Sequence, residues 1–569
     1  MRTAASGAGT LGSCRAAAPG DPPEAGLDPG AGVLITADGP ADIEALLAIR
    51  SRNPEGLAAA LDGGFAVAVW DATAGRLTLL RDPAGIKPLY WADHGGAVVF
   101  ASECQALVPA LGGAPPIDQE AVAEYLGYRY PSCGRTLLAQ VRELDPGGRL
   151  VWERGTLRLD AFWKPPYGER DGNPARAEWV ERIASALEST VRAEMGSPRP
   201  PGGILLSGGI DSSLLAALAV RASTRPLRSW SVGPDDSAFD ESPRARAVAR
   251  ALGIEHTVRT VGGREYSEAL PRTIAANGAP LHHPNSVALL VLSGALACEA
   301  PRVIMGEGAD SSFGNRVARK LRLAQRVGAL LPRAAGARAL SAMGSRPAPR
   351  QLAEILSEGE DAFVARSNLF AAEPVVATVG AVPGAAKVSR LRDAYFRQAS
   401  ALEPIDRALF YYQKTEMLAS FNVFGQVLAS AGVEAEMPFG DRRVQDVSCR
   451  IPWQDKSWLR VSKPLLREAA RRHLPADVLR WPKMSFGFPM EAWFRPGGAL
   501  APWLAVLREP RTLDRGWLRP EGVRQVIAEH QAGTHAHGEG AIWTALNLEL
   551  WARLILDGDE PGGLSPPAG

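Results

Sequence analysis

Cysteine is scarce in this sequence, and the few that occur argue against two classes of protein. The five residues (Cys14, Cys104, Cys133, Cys298, Cys449) are scattered, odd in number and never spaced as Cys-x-x-Cys. That pattern speaks against a disulfide framework and against structural zinc, and it suits a reducing cytoplasm. Neither sign of charge is in excess: Lys+Arg 63 against Asp+Glu 62 leaves a net +1. The chain therefore lacks the electrostatic footprint of a nucleic-acid or anionic-membrane partner. No apolar run reaches the length of a membrane span, and the N-terminus lacks the charged-then-apolar plan of a secretory signal, so a soluble cytoplasmic protein is expected. A Gly-x-x-x-x-Gly-Lys-Ser/Thr loop is missing as well, which disfavours kinases and GTPases of the Walker type. There are no internal repeats.

What is present is enough chain for several cores. A length of 569 residues suggests roughly two to four domains. Residues 1–32 are mostly Ala, Gly, Pro, Ser and Asp, too poor in large apolar groups to offset the entropy of ordering, and disorder is expected there. From Val33 to about residue 162, short apolar runs separated by Gly and Pro predict strands at Phe65–Trp70, Leu77–Leu80, Leu89–Trp91 and Ala97–Ala101. This is the texture of a small β-rich domain. A linker rich in Pro, Gly and charge is expected over 163–176.

Beyond it, from 177 to about 560, short β-type runs alternate with apolar-periodic helices. Ile204–Leu206 predicts a strand leading directly into a helix over Ser212–Arg221. Ser229–Val232, His256–Val261 and Arg302–Met305 predict further strands, with helices at Pro243–Leu252 and Val287–Cys298. Such alternation implies an α/β fold with a parallel sheet covered on both faces, in which ligands bind beyond the carboxyl ends of the strands. A helical, basic extension is expected over about 316–420.

Two strand ends carry chemistry. The string Ser207-Gly208-Gly209-Ile210-Asp211-Ser212-Ser213 puts glycines and hydroxyls where a buried strand turns into a helix. Glycine lets the backbone approach a ligand closely, and amides at a helix start suit an anion such as pyrophosphate. Asp211 has the wrong charge for bare phosphate and makes sense as a Mg²⁺ ligand. The bland alternative is a Gly-Ser turn with Asp211 as a helix cap. About a hundred residues on, Gly306-Glu307-Gly308-Ala309-Asp310 again follows an apolar strand. Asp310 suits a second Mg²⁺ carboxylate and Glu307 a general base for an attacking nitrogen, against the alternative of a tight turn with solvated acids. His282-His283-Pro284-Asn285 fits a loop lining a substrate pocket better than a metal pair, since adjacent histidines do not easily share one metal.

Together with Val433-Glu434-Ala435-Glu436-Met437-Pro438-Phe439-Gly440-Asp441 and the run Arg480 to Pro489, these motifs resemble successive signatures of the asparagine synthetase family. Upstream, Leu61 to Asp71 and Arg81 to Tyr90 resemble the second half of that family's glutaminase domain. The resemblance implies the remnant of an N-terminal-nucleophile glutaminase β-sandwich, followed by a parallel-sheet ATP-pyrophosphatase domain with a helical extension. It implies ATP and Mg²⁺ as cofactors, with Leu206, Ser207, Val232 and Gly306 around the adenosine. Ser207, Gly208, Gly209, Asp211 and Ser212 would form the pyrophosphate loop with Ser213 beside it, and Lys463 would steady the transition states. The expected reaction joins a small-molecule carboxylate to ammonia or an amine through an acyl-adenylate.

The chain departs from the family in places. It begins Met-Arg-Thr-Ala-Ala rather than Met-Cys-Gly-Ile, and Cys14 lies in the segment expected to be disordered. Glutamine hydrolysis is therefore expected to be lost. Ser311 to Asn315, Glu436 and Gly440 also differ from the usual pattern and point to an unusual substrate. Ring closure within one molecule, as in β-lactam synthetases and lasso-peptide cyclases, is the alternative; the resemblance implies a tyrosine at the place of Glu307 in β-lactam synthetases, so Glu307 leans against that one, while the lasso option, with a precursor peptide as partner, survives. A non-catalytic subunit is a third reading. A homodimer stays open.

Overall fold

In the computed structural model the described residues are the backbone strands β1 (Arg2–Ser6), β2 (Gly9–Ser13), β3 (Glu24–Asp28) and β4 (Val33–Asp38), then residues 56–566 except 60, 170–171, 173, 237, 343–346, 368–375, 377, 383–391, 459–460, 482–486 and 535–537. The first three strands fall where composition predicts disorder. A strand holds its neighbour through main-chain bonds, which a segment poor in large side chains can still make.

The N-terminal part is a sandwich. Strands β5 (Ala66–Asp71), β6 (Arg76–Arg81), β10 (Gly148–Glu153) and β11 (Thr156–Ala161) join β3 and β4 in one antiparallel sheet of order β11-β10-β6-β5-β4-β3. A second sheet consists of β7 (Tyr90–His94), β8 (Ala97–Ala101) and β9 (Arg142–Glu143). Alternation along β5 sends Val67 and Val69 to one face, where they meet Leu57, Leu61, Phe65 and Leu80. Ala66 and Ala68 go to the other face with Leu79 and Leu150, against Trp91, Val98 and Phe100 of the second sheet.

The C-terminal part is built on β12 (Gly203–Leu205), β13 (Arg228–Pro234), β14 (Glu255–Val261), β15 (Arg302–Met305) and β16 (Glu434–Glu436). All neighbours are parallel and the order is β14-β13-β12-β15-β16. Both faces are covered, so β12 is apolar throughout: Ile204 and Leu206 pack with the helices Arg176–Met195 and Ile210–Ala222, and Leu205 packs on the opposite side with Trp230 and Val303. The chain order reverses between β12 and β15, which is where a crevice opens. Strand β16 was not legible beforehand, because two of its three residues are acidic. Arg302 on β15 pairs with Glu436 and, at 3.1 Å, with Glu434. No helix among the described residues is long and apolar enough to cross a membrane.

Buried polar bonds lock the two parts together. Arg81, fully buried, pairs with Glu143 at 2.7 Å and donates to Asn422 Oδ1 at 3.0 Å. Lys87 reaches Glu434 at 3.0 Å. Arg392 bonds Glu124 at 2.7 Å, with both side chains at 0% exposure, and lies over the rings of Tyr128 and Tyr130. Removing one partner of such a pair strands a charge out of water. Arg392→Met should therefore lower the unfolding free energy by about 3 kcal/mol, read from the denaturant midpoint and slope of the full chain.

Candidate functional site

Strand β12 is extended by one residue, since the Leu206 amide donates to the Trp230 carbonyl at 2.8 Å. The chain then turns sharply. Gly208 sits at φ +74°, and a Cβ there would meet the Ala245 nitrogen at 2.6 Å, so only glycine fits. The loop is held by its own hydroxyls: Ser212 Oγ accepts from the Ser207 amide at 3.2 Å and lies 3.1 Å from Ser207 Oγ, which in turn accepts from the Gly209 amide at 3.3 Å. The helix Ile210–Ala222 starts with Gly209 as its cap and no side-chain capping bond. Asp211 is thus not a cap. Its carboxylate points to Lys463, with Nζ to Oδ2 at 2.6 Å, while its other oxygen is buried without a hydrogen-bond partner.

The turn after β15 lies directly against this loop. A Cβ on Gly306 would come 2.9 Å from the Ser212 nitrogen. Gly308, at φ +95°, leads into the short helix Ala309–Phe313, and Asp310 in its first turn meets Lys463 at 2.9 Å. Lys463 itself is 3% exposed and takes a left-handed conformation (φ 53°) at the start of the helix Pro464–Ala470. Burial alone would depress its ammonium; Asp211 and Asp310 outweigh that and hold it above the usual lysine range. Glu307 is pushed up to about 7, mainly by burial and then by the neighbouring carboxylates Asp310 and Glu416, against the Gly308 amide and Lys463.

These residues line one cleft of about 590 Å³, a size suited to a small-molecule substrate. It brings together Leu206, Ser207, Gly208, Gly209, Asp211, Ser212, Val232, Gly306, Glu307, Asp310 and Lys463. Ser213 does not belong to the lining; it is fully buried behind the loop. His283 and Asn285 face the cleft, and burial holds the His283 ring down at about 4, hence neutral. Ser311 and Asn315 line it too. Glu436 and Gly440 do not. Glu436 serves the ion pair with Arg302, and a Cβ on Gly440 would lie 2.8 Å from Ile86 of the sandwich, so both departures from the family pattern belong to packing. Of the run from Arg480 to Pro489, residues 482–486 lie outside the described residues, and Trp481 lines the cleft.

Five charged residues of the cleft carry no signal in the sequence: Glu241, Arg244, Arg316, Glu416 and Arg467. Arg244 and Arg467 sit beside the first loop. Glu416 lies on a π-helical turn, Gln413–Met417, with Tyr412, Ser420 and Phe424 at helical spacing on the same wall. A single extra residue in a turn leaves no mark in a pattern read at 3.6 residues per turn.

Comparison with known proteins matches the sequence to a family. The model of the asparagine synthase family matches residues 182–553, and that of the glutamine amidotransferase domain matches residues 35–163. The chain is 27% identical over 526 residues to asparagine synthetase [glutamine-hydrolyzing] 1 of Bacillus subtilis, covering 91% of this chain and 81% of the relative. A putative asparagine synthetase [glutamine-hydrolyzing] of Mycobacterium tuberculosis is 27% identical over 556 residues, or 94% and 83% of the two chains. Carboxyethyl-arginine beta-lactam-synthase of Streptomyces clavuligerus is 32% identical over 280 residues, 48% of this chain and 50% of that one. With the asparagine synthase match spanning more than half of its length, the chain belongs to the asparagine synthase family, whose members form amide bonds at the expense of ATP.

Proposed function

We propose that the protein converts a carboxylate into its adenylate, with release of pyrophosphate, and then joins the acyl group to a nitrogen nucleophile with release of AMP. The observation that carries this reading is the meeting of Asp211 and Asp310 on Lys463 at the mouths of two glycine turns, with Glu307 alongside. In the first step a carboxylate oxygen attacks the α-phosphorus of ATP and pyrophosphate leaves into the Ser207–Ser212 loop, where helix-start amides face its charge. Arg244 and Arg467 add positive charge beside it. In the second step the nitrogen attacks the acyl carbon, its proton passes to Glu307, and the bond to AMP breaks. Lys463, held protonated, offsets charge on the phosphates and then on the oxyanion.

Asp211 and Asp310 fit Mg²⁺: they are hard oxygen donors, and one Asp211 oxygen is buried without a partner. Bound there with phosphate oxygens, the ion would neutralise the polyphosphate. Among the described residues no group of three or more His, Cys, Asp or Glu gathers for a metal.

In this reading the nitrogen donor is ammonia or an amine. Among the described cysteines, Cys104 and Cys449 are buried and Cys133 and Cys298 exposed, and burial pushes the Cys104 thiol up to about 12, far from a nucleophilic thiolate. A second reading, ring closure within one substrate, draws support from the similarity to the beta-lactam-synthase.

Two experiments test the proposal. ATP labelled at the α-phosphorus should appear as AMP, with pyrophosphate beside it, and Asp211→Asn should slow that release by about 10²-fold; ADP and orthophosphate as products would refute the mechanism. Because Glu307 acts as its base form, amide formation should rise with pH around 7. Glu307→Gln should lower that rate on the order of 10²-fold or more, abolish the rise, and leave ATP–pyrophosphate exchange in place.

A further inference from the structure

The helix Arg316–Leu330 begins at the catalytic cleft and carries an outer face that the reaction does not use. Asn315 caps it, its side chain accepting from the Val317 and Ala318 amides at 3.0 Å, and Asn315, Arg316 and Val317 line the cleft. Ala318, Leu321 and Ala324 turn inward and share a core with Ile355 and Phe363. The opposite side presents Arg316, Arg319, Leu323, Arg326 and Leu330, at alternating steps of three and four that set side chains in one row. With 15 residues in the helix, the row is about 22 Å long.

Two features set this row apart. Among the described residues four large apolar side chains are exposed, and three of them are Leu323, Leu330 and Leu331, at 38%, 83% and 46%. A cluster of this kind marks an interaction site more often than a scatter of single residues does. From Arg316 to Arg338 the chain also carries seven cations and no acid, although the whole sequence is balanced at +1. The acids of the following helices are engaged elsewhere or nearly so: Glu354 pairs with Arg350, Glu358 with Arg366 and Asp361 with Arg407, while Glu360 goes to Arg333. Arg319 and Arg326 have no carboxylate partner among the described residues, and the Arg319 Nε has no hydrogen-bond partner.

We propose that this face docks an acidic amphipathic helix of a partner protein, with apolar side chains against Leu323 and Leu330 and carboxylates opposite Arg319 and Arg326. Steps of three and four are the period at which two helices mesh along one seam, and charges beside the seam choose the partner and its direction. Lipid fits less well. Arg326 stands between the two leucines, where a bilayer would have to take a guanidinium, and the row holds no aromatic ring. A nucleic acid would answer the arginines through its phosphates and leave the leucines in water. Because Arg316 at the head of the row lines the cleft, the docked helix would end at the rim of the catalytic site.

The docking face does not depend on the reaction assigned above, and its test requires no turnover. A labelled helical peptide of alanine and glutamate, with leucine alternately three and four residues apart, would be titrated with the full chain and followed by fluorescence anisotropy. Control peptides carry lysine for glutamate, or serine for leucine; phosphatidylglycerol vesicles and a DNA duplex serve as other polyanions. The acidic leucine peptide should bind, and each control peptide should bind at least about tenfold more weakly. Arg326→Glu and Leu330→Asp, both at exposed positions and shown to be folded by circular dichroism, should each weaken the acidic peptide by about tenfold or more. The proposal is refuted if the acidic leucine peptide does not bind, if either control peptide binds as well, or if the folded variants bind as the natural protein does. It is refuted too if vesicles or duplex bind more tightly than the peptide and lose that binding in the variants.

Discussion

The pairing of β12 with β15 is the constraint on which the catalytic cleft rests. The strands are parallel and in register, Gly203 opposite Val303 and Leu205 opposite Met305, so both chains leave the sheet at the same height. Each leaves through glycine, and the two turns touch so closely that Gly306 has no room for a side chain beside the Ser212 backbone. Asp211 and Asp310 are therefore forced toward each other. Two carboxylates in such proximity need a cation, and Lys463, buried and in a left-handed conformation, supplies it. A slip of one residue along the pair would turn every side chain to the opposite face and dissolve the arrangement.

Electrostatics then divides the cleft. Around the first loop lie Lys463, Arg244 and Arg467, a setting for phosphate charge. Across it stand Glu307 and Glu416; burial first, and then the charges of Asp310 and Glu416, raise the cost of ionising Glu307. Glu307 thus comes to titrate near neutrality, which a base that must take and return a proton requires. The N-terminal sandwich contributes none of these groups. Its part is mechanical: Arg81, Lys87 and Glu124 bond across the seam, and Ile86 fills the space that Gly440 leaves open.

Much of this was legible before any coordinates. The strands at Leu77–Leu80, Ala97–Ala101 and Arg302–Met305, and the turn from Ile204 into a helix, follow from apolar runs bounded by glycine and proline. The acidic strand Glu434–Glu436 did not, because its charges are made tolerable by Arg302, 132 positions upstream of Glu434 in a chain that reads as unrelated at that point. Glu436 and Gly440 illustrate the opposite error. Each reads as a change at the substrate, and each turns out to serve packing, since residue type alone does not say which way a side chain faces.

By itself the sequence determined the two glycine turns, the acids they carry, the parallel sheet and hence the end of the sheet where a ligand sits. These follow from local physics: glycine where the backbone must bend, apolar runs where strands are buried, a helix start where an anion is wanted. Only the tertiary structure decided that Asp211 and Lys463, 252 residues apart, share a proton-bearing contact, and that Glu416 on a π-helical turn lines the same cleft as Glu307. Proximity between distant segments depends on strand order and register, and the ionisation of a buried group depends on neighbours that no local pattern encodes.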